Sequence, residues 1–274
     1  MANYTAADIK DIRESTGAGM LDVKKALDEA GGDKAKAIEL IRVKGLKGIA
    51  KREGRAASEG LIAADIRDID GGQEGTLVEI NSETDFVAKN AKFVALGDEA
   101  VQAAVASGAA TAEDLASTPF GEALTNAGAT MGEKIVVRRI GRVSGDVVTN
   151  YMHRTNKDLP PQVGVLVATD AAGAEVARDV AMHIAAYSPL YLTREDVPAD
   201  VVENERRIAE ETAKNEGKPE AALPKIVDGR MNGFFKENVL VDQAFAKDPK
   251  QTVGQVVKAA GGTVTGFVRF RVGN

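Results

Sequence analysis

Gly75-Thr76-Leu77-Val78 is answered later in the chain by Gly164-Val165-Leu166-Val167. The fold turns on reading the two as copies of one unit. Around the first, Gly60 to Ile66, a Gly-rich turn, Gly75 to Asn81 and then a pattern running to about Ala106 read as strand, strand, helix. Around the second, Asp146 to His153, a loop containing Pro160-Pro161, Gly164 to Asp170 and a helix from about Gly173 to Tyr187 read the same way. Val101 and Val105 in one helix match Val180 and Ile184 in the other, so the likeness extends beyond one tetrapeptide. Two such copies imply an α+β core in which helices pack on antiparallel sheets.

The copies differ between second strand and helix. Sliding one over the other leaves a surplus of roughly seven to ten residues in the first, and a fold that closes without them once does not need them for closure. The surplus contains Thr84-Asp85-Phe86-Val87, inside Asn81-Ser82-Glu83-Thr84-Asp85-Phe86-Val87-Ala88-Lys89. Thr84 is placed to cap a short helical turn and hold Asp85 and Phe86 at its tip, and Asn90 to cap the main helix. Strand-to-helix connections of this kind are where scaffolds mount working residues. The competing reading is structural: Phe86 tucks beneath its own helix.

From Thr5 to about Gly45 the spacing predicts three short helices. Thr5 with Asp8 approximates a capping box, Gly17-Ala18-Gly19 ends the first helix, Gly31-Gly32 stops the second and Asp33 caps the third. The basic segment Lys44 to Arg55 reads as a tether. Met20, set directly after the glycines, is either an exposed anchor for a partner or part of this small core. Met131-Gly132-Glu133-Lys134 leads into a strand, Ile135 to Ile140. Pro189 and Pro198 bracket the entry to a charged helix, Ala199 to about Asn215, which reverses at Gly217-Lys218-Pro219 and returns from Leu223. That is a helical hairpin with a sparse seam of Val201, Ile208, Ile226 and Val227. Phe234, Phe235 and Leu240, a helix from about Thr252 and a strand Val264 to Val272 follow. The expected division is residues 1–55 for the three-helix domain and tether, 56–145 for the first core subdomain, 146–190 with 233–274 for the second, and 191–232 for the inserted hairpin.

The 274 residues carry a net charge of −6 and no cysteine, which excludes disulfides, thiol nucleophiles and thiolate metal sites and fits a reducing compartment. No apolar run is long enough to span a bilayer, and Met1-Ala2-Asn3-Tyr4 opens into a polar amphipathic helix, so the cytoplasm is the expected location. Lys44, Lys47, Lys51, Arg52 and Arg55 cluster, yet no aromatic stacking platform accompanies them, and direct nucleic-acid binding is not expected. The two histidines, His153 at a strand end and His183 in an apolar helix, form no constellation, and no phosphate loop, zinc spacing or nucleophile elbow occurs. Covalent catalysis is therefore not expected, nor a cofactor.

The segments Arg13-Glu14-Ser15-Thr16-Gly17-Ala18-Gly19-Met20-Leu21-Asp22-Val23-Lys24-Lys25-Ala26-Leu27, Thr84-Asp85-Phe86-Val87 and Thr265-Gly266-Phe267-Val268-Arg269-Phe270 together resemble the elongation factor Ts family, in the right order over essentially the whole chain. The resemblance implies a guanine-nucleotide exchange factor for elongation factor Tu, acting on the GDP and magnesium its partner holds. It implies a ubiquitin-associated-like N-terminal domain in which Arg13, Met20, Leu21 and Lys24 touch the partner. Asp85 and Phe86, flanked by Thr84 and Val87, would be inserted into the partner's nucleotide-binding domain, with Met131, Gly132 and His153 as further contacts. The hairpin matches an arm that mediates dimerisation in some members, which leaves a homodimer in the complex open. Three departures stand out: Ala246-Lys247 replace apolar residues, the Thr155 to Pro161 loop is longer, and the sequence ends at Asn274 without a further helix that some members carry. The alternative is a plain adaptor, recruiting another protein through the three-helix unit without promoting exchange.

Overall fold

The computed structural model describes residues 3–273. Helix α1 (Ala6–Thr16) opens on the expected capping box, with the Thr5 hydroxyl accepting from the Asp8 N–H and the Asp8 carboxylate accepting from Thr5 N–H. Lys34 sits 2.5 Å from Asp8 and, with Thr5, holds that carboxyl down at about 2. Helices α2 (Met20–Glu29) and α3 (Lys34–Arg52) complete the unit around Ile12, Val23, Leu27, Ala37 and Ile41.

The expected tether is largely helix, because α3 runs on to Arg52. Gly45 and Gly48 each cost a helix about 1 kcal/mol relative to Ala, which is why the pattern reads as ending there. Tertiary contact overrides that cost: α3 crosses a later helix so closely that a Cβ on Gly45 would stand 1.8 Å from the Ala129 carbonyl oxygen.

Strands β1 (Glu59–Ile69) and β2 (Gly72–Ser82) form an antiparallel hairpin through Asp70-Gly71. The short helix α4 (Asp85–Ala88) and the long α5 (Ala91–Ser107) follow, then α6 (Ala112–Ala116) and α7 (Pro119–Met131). The last two fall in a stretch to which the sequence pattern assigns no element, although Thr118 caps α7 with Pro119 at its first position. Strand β3 (Val136–Gly145) pairs with β2, giving the order β1-β2-β3.

The second copy repeats this plan. Strands β4 (Val147–His153) and β5 (Val163–Thr169) pair antiparallel, and α8 (Ala174–Tyr187) packs on them. Helices α9 (Ala199–Asn215) and α10 (Leu223–Asn238) form the hairpin. Two-residue β6 (Ala244–Phe245) and β7 (Asp248–Thr252), then α11 (Val253–Ala259), lead to β8 (Val264–Arg271), which closes the sheet as β4-β5-β8.

The repeated glycine now has a reason. A Cβ on Gly75 would meet Val148 and Leu166 at 2.8 and 3.0 Å, and one on Gly164 would meet Ile62 at 2.5 Å and Leu77 at 3.2 Å. The sheets pack face to face through Ile62, Leu77, Val148, Leu166 and Phe270, and each copy contributes its glycine where the other's side chains press in. Helix α5 covers the outer face of one sheet and α8 and α11 that of the other, so β5 is buried throughout. The 155–161 loop is anchored on the first copy: Ile62 N–H donates to the Pro161 carbonyl at 2.9 Å, and Leu159 packs against the hydrophobic cluster formed by β1, β2 and α5.

Three expectations need correction. The strand-to-helix connection is eight residues in the first copy (83–90) and four in the second (170–173), a smaller surplus than seven to ten. The rest of the offset lies in the part of β2 after the matched glycine, which runs on to Ser82 where β5 stops at Thr169, and in the longer stretch of α5 before Val101 than of α8 before Val180. The hairpin seam is Val202, Ala209, Ala213, Val227 and Met231 with Phe234 and Phe235, while Ile208 is exposed. Alanines four apart let the helices approach, a signal hidden when only large side chains are counted. The expected boundary at 232/233 falls inside α10.

His183 is fully buried, with Nδ1 accepting from the Ala246 N–H at 3.2 Å and Nε2 against the Gln243 side-chain oxygen at 2.8 Å. These partners set the neutral tautomer that carries its proton on Nε2. Burial pushes the imidazole below its ordinary 6.5, opposed by the smaller pull of the Gln243 contact. The unfolded chain therefore binds a proton that the folded one resists, and stability is full above about 6.5 and erodes as pH falls below it. Urea unfolding at pH 7.5 and 5.5 is expected to show this loss, at most about 1.4 kcal/mol per pH unit from this group. The pH slope should shrink in His183→Gln.

Candidate partner-binding site

The connection after β2 is built as a braced tip. The Thr84 hydroxyl oxygen accepts from Val87 N–H at 3.3 Å, starting α4, and Lys89 closes its single turn. Val87 and Ala88 are buried beneath it, which turns the opposite side of the turn outward. Phe86 is 71% exposed, so its ring lies outside the core. The structural reading, with Phe86 under its own helix, does not describe this chain; Phe93, fully buried on α5, occupies that place.

Lys89 organises the tip's polar side. Its Nζ is 2.8 Å from Asp85 Oδ2 and 4.9 Å from the centroid of the Phe86 ring. The hydrogen bond from Lys89 lowers the Asp85 carboxyl from its ordinary value, so the tip presents an ionised carboxylate beside an aromatic face.

From beneath, Glu133 grips the segment. Its Oε2 accepts from the backbone N–H groups of Glu83 and Thr84, both at 3.0 Å, and Oε1 accepts from the Thr84 hydroxyl at 2.6 Å. Glu83 reciprocates by accepting from Lys134 N–H at 2.7 Å and pairing with Arg55 at 3.1 Å. In the sequence Glu133 is only part of the lead-in to β3, because nothing local ties it to a segment fifty residues earlier.

Glu133→Ala strips acceptors from two backbone N–H groups and a hydroxyl, with an expected cost of about 1–3 kcal/mol. Hydrogen exchange at the Glu83 and Thr84 amides should quicken markedly, while amides of β5 keep their protection.

Beside the tip, a groove of about 790 Å³ runs between α1, the Gly17–Met20 turn, α4 and the end of α7. It brings together Arg13, Met20, Thr84, Phe86, Val87 and Met131. Met20 is 59% exposed and Leu21 72%, which resolves the two readings of Met20 in favour of an outward side chain. Lys24 is exposed one turn further along α2, and Gly132 is exposed as the left-handed cap of α7. Val87 and Met131 are buried, so in this chain they floor the groove rather than stand out from it.

His153 does not join this cluster. It lies in a separate groove of about 320 Å³ with Tyr151, Met182, Ala246 and Lys247, its Nδ1 3.1 Å from the Tyr151 hydroxyl. Lys247 there pairs with Asp179 at 2.6 Å. Among the described residues no group of three or more His, Cys, Asp or Glu side chains is placed to hold a metal ion, and no helix is long and apolar enough to cross a membrane.

Residues 83–274 match the family described as Elongation factor TS. Over their full lengths and that of this chain, curated proteins named Elongation factor Ts are similar to it: 67% identical in Beutenbergia cavernae, 64% in Micrococcus luteus and 61% in Paenarthrobacter aurescens.

Proposed function

From the premise that the chain belongs to the elongation factor Ts family, as a translation elongation factor, we propose that it accelerates GDP release from elongation factor Tu in the cytoplasm by binding the nucleotide-free form. The observation that carries this reading is the exposed Phe86 ring beside the ionised Asp85, on a turn held from below by Glu133. A GTPase pocket is held shut by its contacts to nucleotide phosphates and magnesium. A factor that opens it must bind better to the empty pocket, and by linkage factor and nucleotide then weaken each other.

Phe86 supplies the wedge. Full burial of its ring in the partner is worth about 2 kcal/mol. Asp85 brings negative charge towards groups that position magnesium and phosphate. The adjoining groove, with Arg13 and Met20 on its walls, supplies further interface, joined by Leu21 and Lys24 on α2. Met131 and Gly132, at the end of α7 beside the tip, are proposed as further contacts, and His153, in its separate groove, as a more distant one. No covalent step is involved, and the protein itself needs no cofactor. The three-helix unit, the two sheet subdomains and the hairpin are proposed as the working divisions of the chain.

The test is whether substoichiometric protein accelerates release of a fluorescent GDP analogue from elongation factor Tu. A plain adaptor would leave the rate unchanged and would capture the nucleotide-free and GDP-bound GTPase equally.

A further inference from the structure

The face of β8 that carries Phe267, Arg269 and Arg271 borders a groove of about 780 Å³ whose other wall is the segment 188–192. Arg139 enters it from β3. Arg139 is already engaged, with Nε 2.7 Å from the buried Glu79 carboxylate, one Nη on the Arg271 carbonyl at 3.0 Å, and the guanidinium 4.4 Å from the Phe270 ring centroid.

The other two arginines lack such partners. Among the described residues neither Arg269 nor Arg271 forms an ion pair. Arg269 donates once, to the Ala185 carbonyl at 3.2 Å, and its Nε is sealed from solvent with no acceptor. The acidic side chain on the rim, Asp196, is taken by the Thr193 N–H and hydroxyl. One wall residue, Ser188, holds the sole left-handed φ of a non-glycine residue among those described, at 52°.

We propose that this groove binds a phosphate-type oxyanion between the guanidiniums of Arg269 and Arg271. The two residues are two apart on one strand, so their side chains project from the same face about 7 Å apart at the backbone. A tetrahedral dianion offers oxygens to both at once, where guanidinium forks pair best. Desolvation and the neighbouring Arg271 and Arg139 charges already lower the Arg269 guanidinium from its ordinary value. A bound dianion would relieve that repulsion. This groove shares no lining residue with the one at the Phe86 tip, and the proposal does not rest on the exchange reading.

The experiment is phosphorus NMR of inorganic phosphate with the full-length protein, alongside thermal unfolding in phosphate and in chloride at equal ionic strength and pH. Wild type should broaden the phosphate resonance, and tens of millimolar phosphate should raise the midpoint by about 2–4 °C over chloride. Arg271→Gln, at an exposed position, should abolish both effects without lowering the midpoint in chloride, since it also removes a charge that repels Arg269, and Arg269→Lys should weaken them. Equal midpoints in the two salts without broadening, or undiminished broadening in both variants, would overturn the site. A GDP arm and a short single-stranded RNA arm separate the sources of the oxyanion: competition by GDP assigns it to a small phosphate ligand, and displacement by RNA alone assigns it to a nucleic-acid backbone, the oxyanion site itself standing in either case.

Discussion

Phe86→Ala is expected to slow factor-stimulated GDP release from elongation factor Tu by roughly 30-fold at limiting factor concentration, the kinetic equivalent of about 2 kcal/mol of ring burial made only in the complex. In the free protein the ring is 71% exposed, so the same change should move unfolding stability by less than about 0.5 kcal/mol. Stopped-flow release of the fluorescent GDP analogue and urea unfolding of the variant measure the two quantities. An unchanged release rate would remove the wedge, and a variant that melts early would mean the ring supports its own fold. Linkage adds a second consequence for the same variant: if the factor grips the empty pocket less well, GDP should displace it less steeply.

Gly45→Ala is expected to separate the three-helix unit from the core. The new Cβ would lie 1.8 Å from the Ala129 carbonyl oxygen and 2.7 Å from its Cα, both backbone atoms that no rotamer change can move. Alanine gains about 1 kcal/mol of helix propensity, so α3 stays helical and the stress falls on the crossing with α7. Overpacking of this kind costs about 3 kcal/mol, and the net loss should be about 2 kcal/mol once that propensity gain is set against it. Gly48→Ala is the control, because its Cβ would meet no backbone, only the guanidinium of Arg52 at 3.0 Å, and the gain in helix propensity offsets any disturbance of the bond that Arg52 donates to the Gly45 carbonyl, so it should be close to neutral. If Gly45→Ala melts like the wild type and keeps its exchange activity, the crossing does not fix the groove. If it loses exchange while β5 amides keep their protection, the groove between α1 and α4 is what the crossing maintains.

Much of the tip is legible in the chain itself. Thr84 and Asn90 are capping residue types at helix starts, and both caps form with the side chains that local chemistry dictates. Phe86 falls before the apolar spacing of α5 begins, and it stands outside the core. What cannot be read are the long-range partners: Glu133 beneath the turn, and the docking of α1 beside it. Lys89 lies close enough to be foreseen, four residues after Asp85, where a helical turn brings opposite charges together. A reading of the hairpin seam by large side chains finds Val227 but puts Ile208 in place of the neighbouring small Ala209, which is buried while Ile208 is exposed.

The order of residues along the chain suffices for what is local or repeated: caps, glycine stops, strand periodicity and the two copies answering each other. These depend on neighbours within a few residues or on likeness between stretches. It took the packed fold to establish that the repeated glycines mark where two sheets press together, that α3 runs through its own glycines, and that the Met20 turn and the Phe86 tip share one groove. Those outcomes depend on which backbone comes within a few ångströms of which, a distance that local propensity does not encode.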